Sequence, residues 1–106
     1  MEAGHYAGAT SKGEPVSFDV TEGGDVTNVI ASLDGAVISI SQRFKVDGWG
    51  RWGGEVSGRG VNTRVRGRLR RSEAHGTLEA ELVNGRTHHL AGPISWRARR
   101  VTGLAY

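Results

Sequence analysis

Residues 63–71 read TRVRGRLRR, a stretch in which arginine recurs at every second position. Successive side chains of a β-strand point to opposite faces of the sheet, so every second residue shares a face. An extended chain therefore places these guanidinium groups on one face, about 6.5–7 Å apart along the strand. We call the residues concerned the arginine ladder: Arg64, Arg66, Arg68 and Arg70. Because the residues between them are apolar or glycine, the segment predicts a half-buried strand with a cationic outer surface.

The same alternation of apolar and polar residues is found along the rest of the chain, whereas helical periodicity is almost absent. It occurs in further segments at residues 16–20, 38–46, 78–82 and 94–98. Glycine-rich turn signals separate the segments, and Asp-Gly or Asn-Gly pairs favour two-residue hairpin turns. These signals stand at residues 22–24, 34–35, 47–48, 84–85 and 91–93. Eight or nine short strands predict an all-β fold, as a single antiparallel β-sandwich or jelly-roll-like barrel, in one domain of residues 1–106.

The composition excludes several classes of protein and site. None of the 106 residues is cysteine, which rules out disulfides, thiol catalysis and zinc sites built on thiolates. An apolar run of about 18–20 residues, as a membrane-spanning helix needs, is absent. The first residues lack the basic and apolar regions of a signal peptide. We therefore expect either a cytoplasmic protein or a piece excised from a secreted one.

The charge is distributed unevenly along the chain. Residues 1–42 contain six acidic residues and one lysine, a net charge of −5, while residues 43–106 contain five acidic and thirteen basic residues, a net charge of +8. Such asymmetry is typical of a face that binds nucleic acid or an acidic partner. The two halves could instead pair within the fold, or between copies of the chain to form a homo-oligomer.

The register of the ladder strand with the strand that follows can be derived from the sequence. A connection around residues 72–75 sets Arg68 opposite Glu79 and Arg66 opposite Glu81, because directly paired residues share a face. We therefore expect these two arginines to be neutralised within the fold. The arginines that would remain for a partner, provided that the last strand lies beside the ladder, are Arg64, Arg70, Arg71, Arg97, Arg99 and Arg100.

A glycine-rich segment at residues 47–54 carries two tryptophans, Trp49 and Trp52, on either side of Arg51. Exposed tryptophan is costly, so each ring either closes the core or contacts a ligand. Aromatic rings stack on sugars, and tryptophan and arginine are enriched at the energetic centres of interfaces. We expect one ring to fill the end of the fold and the other to be exposed, and we assign all three residues to a partner-binding loop.

No pattern in the chain predicts catalytic residues, a cofactor or a metal site. His88 and His89 are neighbours on a predicted strand and point to opposite faces, so they cannot share one metal ion. Acidic residues in the first half cluster around turns without the spacing of a calcium loop; they are Asp19, Glu22, Asp25 and Asp34. A G-x-S-x-G nucleophile motif is also absent.

Three segments resemble motifs of a known family. Residues 4–29 (GHYAGATSKGEPVSFDVTEGGDVTNV), 67–82 (GRLRRSEAHGTLEAEL) and 95–99 (SWRAR) are similar to a small all-β domain of secreted and surface proteins of actinobacteria. Many members carry a cysteine pair, which this chain lacks. The resemblance implies a fold without an assigned activity and supplies no catalytic residues. It also implies that the core includes Tyr6, Phe18, Leu69, Leu78 and Trp96.

We therefore expect a non-catalytic binding or assembly module that contacts a protein or glycan partner through the Trp/Gly segment and the arginine-rich face. One alternative is a nucleic-acid- or polyanion-binding β-domain, although RNA-binding sheets usually stack bases on aromatic side chains and the ladder has none. A second alternative is a small β-barrel enzyme or ligand carrier, which would need an interior pocket of about 300 Å³ or more.

Overall fold

The computed structural model describes residues 3–58, 60–84 and 87–101, with their side chains except at residues 58, 82–84 and 87–91. Over these ranges the chain forms nine strands and no helix. The described residues therefore include no helix that could cross a membrane. All pairings between neighbouring strands are antiparallel.

The strands form one sheet in the order β4-β3-β2-β1-β9-β8-β7-β6, and the short β5 pairs with β3 beside β4. Their bounds are β1 Gly4–Thr10, β2 Pro15–Val20, β3 Asp25–Leu33, β4 Ala36–Ile40, β5 Phe44–Lys45, β6 Arg51–Gly58, β7 Val61–Arg70, β8 Glu73–Asn84 and β9 Thr87–Arg100. Pairing of β1 with β9 joins the meander β1–β4 to the meander β6–β9, and the resulting sheet forms a nearly closed barrel. The prediction of an all-β fold with eight or nine strands is confirmed.

Aromatic rings fill the interior of the barrel. The rings of Tyr6 and Phe18 stack with their centroids 5.2 Å apart, and Trp96 meets Phe18 edge-on at 5.6 Å. Trp52 is 5.2 Å from Phe18 and 5.8 Å from both Phe44 and Trp96. Because aromatic rings bury large apolar areas and favour tilted or offset contacts, this cluster is the centre of the core.

The residues that the resemblance placed in the core are buried, which confirms that expectation: Tyr6, Phe18, Leu69, Leu78 and Trp96. The Tyr6 hydroxyl donates to the carbonyl of Arg71, and Trp96 Nε1 donates to the carbonyl of Thr77, both at 3.2 Å. A buried polar atom left without a hydrogen bond would cost about 1–3 kcal/mol. These two bonds therefore let large amphipathic rings close the barrel without that cost.

Two glycines in register make room for the indole rings. Gly67 on β7 pairs with Gly76 on β8. A Cβ atom at Gly67 would lie 2.6 Å from the ring of Trp52, and one at Gly76 would lie 2.7 Å from the ring of Trp96. Glycine inside a strand often marks such close approach in a curved sheet. Part of the glycine content therefore serves packing as well as turns.

The turn between β7 and β8 is tighter than the sequence predicted. Arg70 pairs with Glu73, so the turn consists of Arg71 and Ser72 rather than residues 72–75. The φ angle of Arg71 is 58°, a conformation that turn sequences usually signal with Gly, Asn or Asp. No such residue stands here, and the expected position of the turn is wrong for that reason.

The tighter turn slides β8 along the ladder and changes every pairing. Glu79 lies opposite Arg64 rather than Arg68, and Glu81 lies opposite Asn62 rather than an arginine. The expected neutralisation of Arg68 and Arg66 by these carboxylates is therefore wrong. The shared face of ladder and carboxylates is correct, because the slide covers an even number of residues.

One predicted turn lies instead within a strand. β9 continues through residues 91–93, where the Gly92–Pro93 peptide bond is cis. The ladder between β8 and β9 shifts its register beside this point. Proline has no amide hydrogen for a regular ladder, so an irregular pairing accommodates it.

Candidate functional site

The outward side chains of β6, β7, β8 and β9 bring basic residues into cross-strand register. Arg68 lies directly opposite Arg51 on one side and His75 on the other, and His75 lies opposite Arg97. Neighbouring strands are about 4.8 Å apart, so the four side chains form a line across the sheet. We call this line the cationic row.

Two further rows flank the cationic row. In one, Glu73 lies directly opposite both Arg70 and Arg99, and Arg99 Nε is 3.7 Å from Glu73 Oε1. In the other, Arg66 lies opposite Thr77. We define the basic face as the exposed ionisable side chains of the three rows: Arg51, Arg66, Arg68, Arg70, Glu73, His75, Arg97 and Arg99.

The arginine ladder is neutralised at one end only. Arg64 Nη1 donates to Glu79 Oε1 at 3.0 Å, and Arg64 Nη2 donates to Glu55 Oε2 at 3.3 Å. These carboxylates, Glu55 foremost, raise the pKa of Arg64 above its ordinary value. The expectation that Arg64 would be left without a carboxylate is therefore wrong, and the available charge lies further along the strand.

The other arginines of the ladder, which belong to the basic face, and Arg97 have far fewer partners within the fold than Arg64 has. Within the part of the chain that the structure describes, Arg66, Arg70 and Arg97 form no hydrogen bond or ion pair. Arg68 Nε donates to the carbonyl oxygen of Trp49 at 3.3 Å, a bond that leaves its charge uncompensated. Arginine's planar fork is therefore available at several neighbouring positions for an anion with two or more oxygens.

Asp47 organises the Trp/Gly segment. Its Oδ1 accepts hydrogen bonds from the amides of Trp49 at 2.8 Å and Arg51 at 2.9 Å, and its Oδ2 accepts from Arg51 Nε at 3.0 Å. These bonds, that from the Arg51 amide above all, hold the pKa of the Asp47 carboxyl below its ordinary value. The guanidinium carbon of Arg51 lies 5.1 Å from the centroid of the Trp49 ring, a cation–π distance.

The two tryptophans have opposite environments, as expected. Trp52 is 6% exposed and belongs to the core, whereas Trp49 is 69% exposed. The bonds to Arg51 and Arg68 hold Trp49 at the β6 margin of the basic face. Burial leaves Trp52 almost no surface for a partner, so its assignment as a contact residue is wrong and its effect on this surface is through packing.

The arginines of the last strand reach the basic face across β8. β9 pairs with β8 and β1 rather than with β7, so His75 and Glu73 lie between the ladder and Arg97 and Arg99. Arg100 has the opposite parity in β9 and is half-buried, which excludes it from this face. Arg71 is exposed in the β7–β8 turn, at the end of the face.

A surface cleft of about 280 Å³ lies within the basic face, over the paired strands β8 and β9. Its lining includes the cross-strand pairs Glu73–Arg99 and His75–Arg97, together with the opposed Ala74 and Ala98. A second, more open groove of about 490 Å³ follows the β6 margin. It is lined by Lys45, Asp47, Arg51, Trp52, Gly53, Gly54, Arg66 and Gly67.

Asp25 and Asp34, two carboxylates of the first half, are satisfied by local contacts rather than by the basic face. Lys12 Nζ donates to Asp34 Oδ1 at 2.9 Å, and this bond raises the pKa of Lys12. Arg43 Nη1 donates to Asp25 Oδ2 at 3.1 Å. In the parts of the chain with described side chains, no group of three or more His, Asp or Glu residues could hold a metal ion. The side chains of residues 88 and 89 lie outside those parts.

Residues that the sequence reading missed are His75 and Glu73 in β8 and the availability of Arg66 and Arg68. A two-residue turn at positions 71–72 would have placed all of them, but position 71, where φ is positive, carries none of Gly, Asn or Asp. Comparison of the chain with protein-family models, with curated proteins and with solved structures gives no match. The resemblance to the actinobacterial domain therefore stays a prediction.

Proposed function

We propose that this protein is a non-catalytic binding module that holds an acidic partner against the basic face, with Trp49 at the margin of the contact. The observation that carries this proposal is the cationic row. It sets Arg51 directly opposite Arg68, and it sets His75 between Arg68 and Arg97. Like charges directly opposite one another on a sheet, as Arg51 and Arg68 are, lower stability by up to about 1 kcal/mol per pair, and the ion pair of Arg51 with Asp47 offsets part of this cost. A negatively charged partner would convert this cost into binding energy.

The chemistry of the face supports an acidic partner rather than a neutral one. Arginine binds carboxylate, sulfate or phosphate through two parallel hydrogen bonds. Arg66, Arg70 and Arg97 have no partner among the described residues to give up before binding. Trp49 adds an exposed ring beside these charges, and tryptophan with arginine is the usual composition of energetic centres in interfaces.

The interior argues against a ligand carrier. An interior site would need a pocket of about 300 Å³ or more, whereas the rings of Tyr6, Phe18, Phe44, Trp52 and Trp96 pack against one another at the centre of the barrel. The clefts described above lie instead on the surface that carries the unpaired arginines. Binding at the outer face therefore accounts for more of the molecule than binding inside it.

The test compares two variants that lose the same amount of charge. Arg66→Gln/Arg97→Gln removes two charges from the basic face, while Lys12→Gln/Arg43→Gln removes two that are paired with Asp34 and Asp25. Affinities for heparin and for poly-glutamate are measured at about 0.1 M salt, where screening is effective beyond about 10 Å. We expect the first variant to bind at least about tenfold more weakly than the wild type, since charge-assisted hydrogen bonds contribute about 1.5–3 kcal/mol each, and the second to change little.

Circular dichroism in the near ultraviolet confirms that both variants keep the packed aromatic core. Equal losses in the two variants would show that net charge alone attracts the polymers, and would overturn the proposed site. Absence of binding to either polymer at about 50 mM salt, where electrostatic binding is strong, would overturn the proposed function itself.

A further inference from the structure

The cleft over β8 and β9 is lined by hydrogen-bond donors and also by a carboxylate, which a site for a simple anion does not require. Hydrogen bonds can be donated into it by Arg97, Arg99 and His75. Glu73 also lines it, and an ionised carboxylate accepts hydrogen bonds but donates none. The side chains of Arg99 and Glu73 are 82% and 66% exposed and their closest atoms are 3.7 Å apart. Their contact is weak, so both keep hydrogen-bonding capacity for a ligand.

A group that carries both hydroxyls and an acidic substituent fits this lining. Its hydroxyl hydrogens would be accepted by Glu73, and its acidic oxygens would be bound by Arg97 and Arg99. The volume of about 280 Å³ lies just below the range of about 300–1,000 Å³ typical of drug-sized ligands. The cleft therefore has the size for one ring-sized group with its substituents.

The cleft and Trp49 lie at opposite sides of the basic face. The cationic row leads from Arg97 through His75 and Arg68 to the carbonyl group of Trp49. Three strand spacings of about 4.8 Å give a separation of roughly 14 Å. A ligand that contacts both places must therefore span at least this distance, and the arginines between the two places favour negative charge along its length.

Nucleic acid meets the length and charge requirements but not the rest of the surface. Sheets that bind single strands stack the bases on aromatic side chains within the sheet. Among the described outward side chains of β6–β9 none is Phe, Tyr or Trp. A carboxylate at Glu73, in the row between Arg70 and Arg99, would also repel a continuous line of phosphates.

We propose that the partner of the basic face is an acidic glycan, one of whose rings lies in the cleft beside Glu73 while another packs on Trp49. This proposal rests on the proposed function and specifies its ligand. The shared chemistry is a sugar chain that carries sulfate esters or carboxylates. Heparin and hyaluronan represent these two sources, and a poly-glutamate and an oligothymidylate represent acidic protein and nucleic acid.

The decisive experiment removes one carboxylate inside the cleft and one outside it. Glu73→Ala acts in the cleft, and Glu55→Ala acts on the same sheet surface beside Arg64. Simple electrostatics predicts tighter binding of any polyanion to both variants. The proposal instead predicts that Glu73→Ala weakens binding to heparin or hyaluronan by about five- to tenfold through the loss of accepted hydrogen bonds, whereas Glu55→Ala does not weaken it.

The remaining outcomes separate the ligand from the function. Trp49→Ala should weaken glycan binding several-fold and leave poly-glutamate binding almost unchanged. Tighter glycan binding by both carboxylate variants would overturn the role of the cleft. Poly-glutamate or oligothymidylate bound as tightly as the glycans would overturn the choice of a glycan as partner. The acidic-partner function would stand if Arg66→Gln/Arg97→Gln still weakened that binding at least about tenfold.

Discussion

The absence of a side chain at Gly67 makes room for the buried ring of Trp52. A Cβ atom at this residue would lie 2.6 Å from the Trp52 ring, and Trp52 is held from its other side by Phe18, Phe44 and Trp96. These three rings restrict how far Trp52 can move away from a new side chain at residue 67. We therefore expect Gly67→Ala to lower the free energy of unfolding by about 1–3 kcal/mol, the usual cost of overpacking a core.

Urea denaturation followed by circular dichroism measures this change, and Gly48→Ala is the matched control. Nothing lies within 4 Å of a Cβ atom at Gly48, so that variant should differ from the wild type by less than about 0.5 kcal/mol. Equal stability of the two variants would show that Trp52 moves freely. The packing of Trp52 would then not explain how Trp49 and Arg51 are held at the basic face.

At the scale of the element, alternation predicted the β7 strand and its cationic outer face, but not the pairing of that strand with β8. Parity is a local property that the sequence carries in every residue. The register depends on a turn whose positive φ angle falls on Arg71, a residue that gives no turn signal. The sequence therefore predicts Glu79 opposite Arg68, whereas Glu79 binds Arg64. For the same reason it does not predict which end of the ladder lacks a carboxylate partner.

The same turn yields a prediction about stability. Only the first of its two central residues, Arg71, has a positive φ, the position where type II′ turns prefer glycine. A non-glycine residue in the left-handed region costs roughly 1–2 kcal/mol, partly offset by the greater freedom of glycine in the unfolded chain. We expect Arg71→Gly to raise the free energy of unfolding by about 0.5–1 kcal/mol.

Thermal and urea unfolding of Arg71→Gly test this expectation, with Arg71→Ala as the control for loss of the side chain. The hydrogen bond from Tyr6 uses the carbonyl of residue 71 and is retained in both variants. The alanine variant keeps the backbone strain and should unfold like the wild type. A glycine variant no more stable than the alanine variant would show that the turn is not strained.

At the scale of the whole molecule, the basic face arises from the alignment of four strands that sequence patterns treat one at a time. Composition revealed the excess of positive charge in the second half of the chain. It did not reveal that His75 lies between Arg68 and Arg97, since this depends on two registers together. Nor did it reveal that β9 pairs with β8 and β1 rather than with β7, which leaves β8 between the ladder and the last strand.

This alignment predicts an unusual response of the folded state to salt. Attractive ion pairs are weakened by screening, but directly opposed like charges are relieved by it. Arg68 lies opposite Arg51, so raising sodium chloride from about 0.02 to about 0.3 M should stabilise the wild type by about 0.5 kcal/mol, or about 2–4 °C in Tm for a domain of this size. Arg68→Gln should start from a higher Tm at low salt and gain less. Calorimetry of both proteins at pH 8 measures the effect. A Tm that falls with salt in the wild type would mean that attractive pairs such as Arg64 with Glu79 dominate the surface. In that case the cationic row would hold no repulsion for a ligand to relieve.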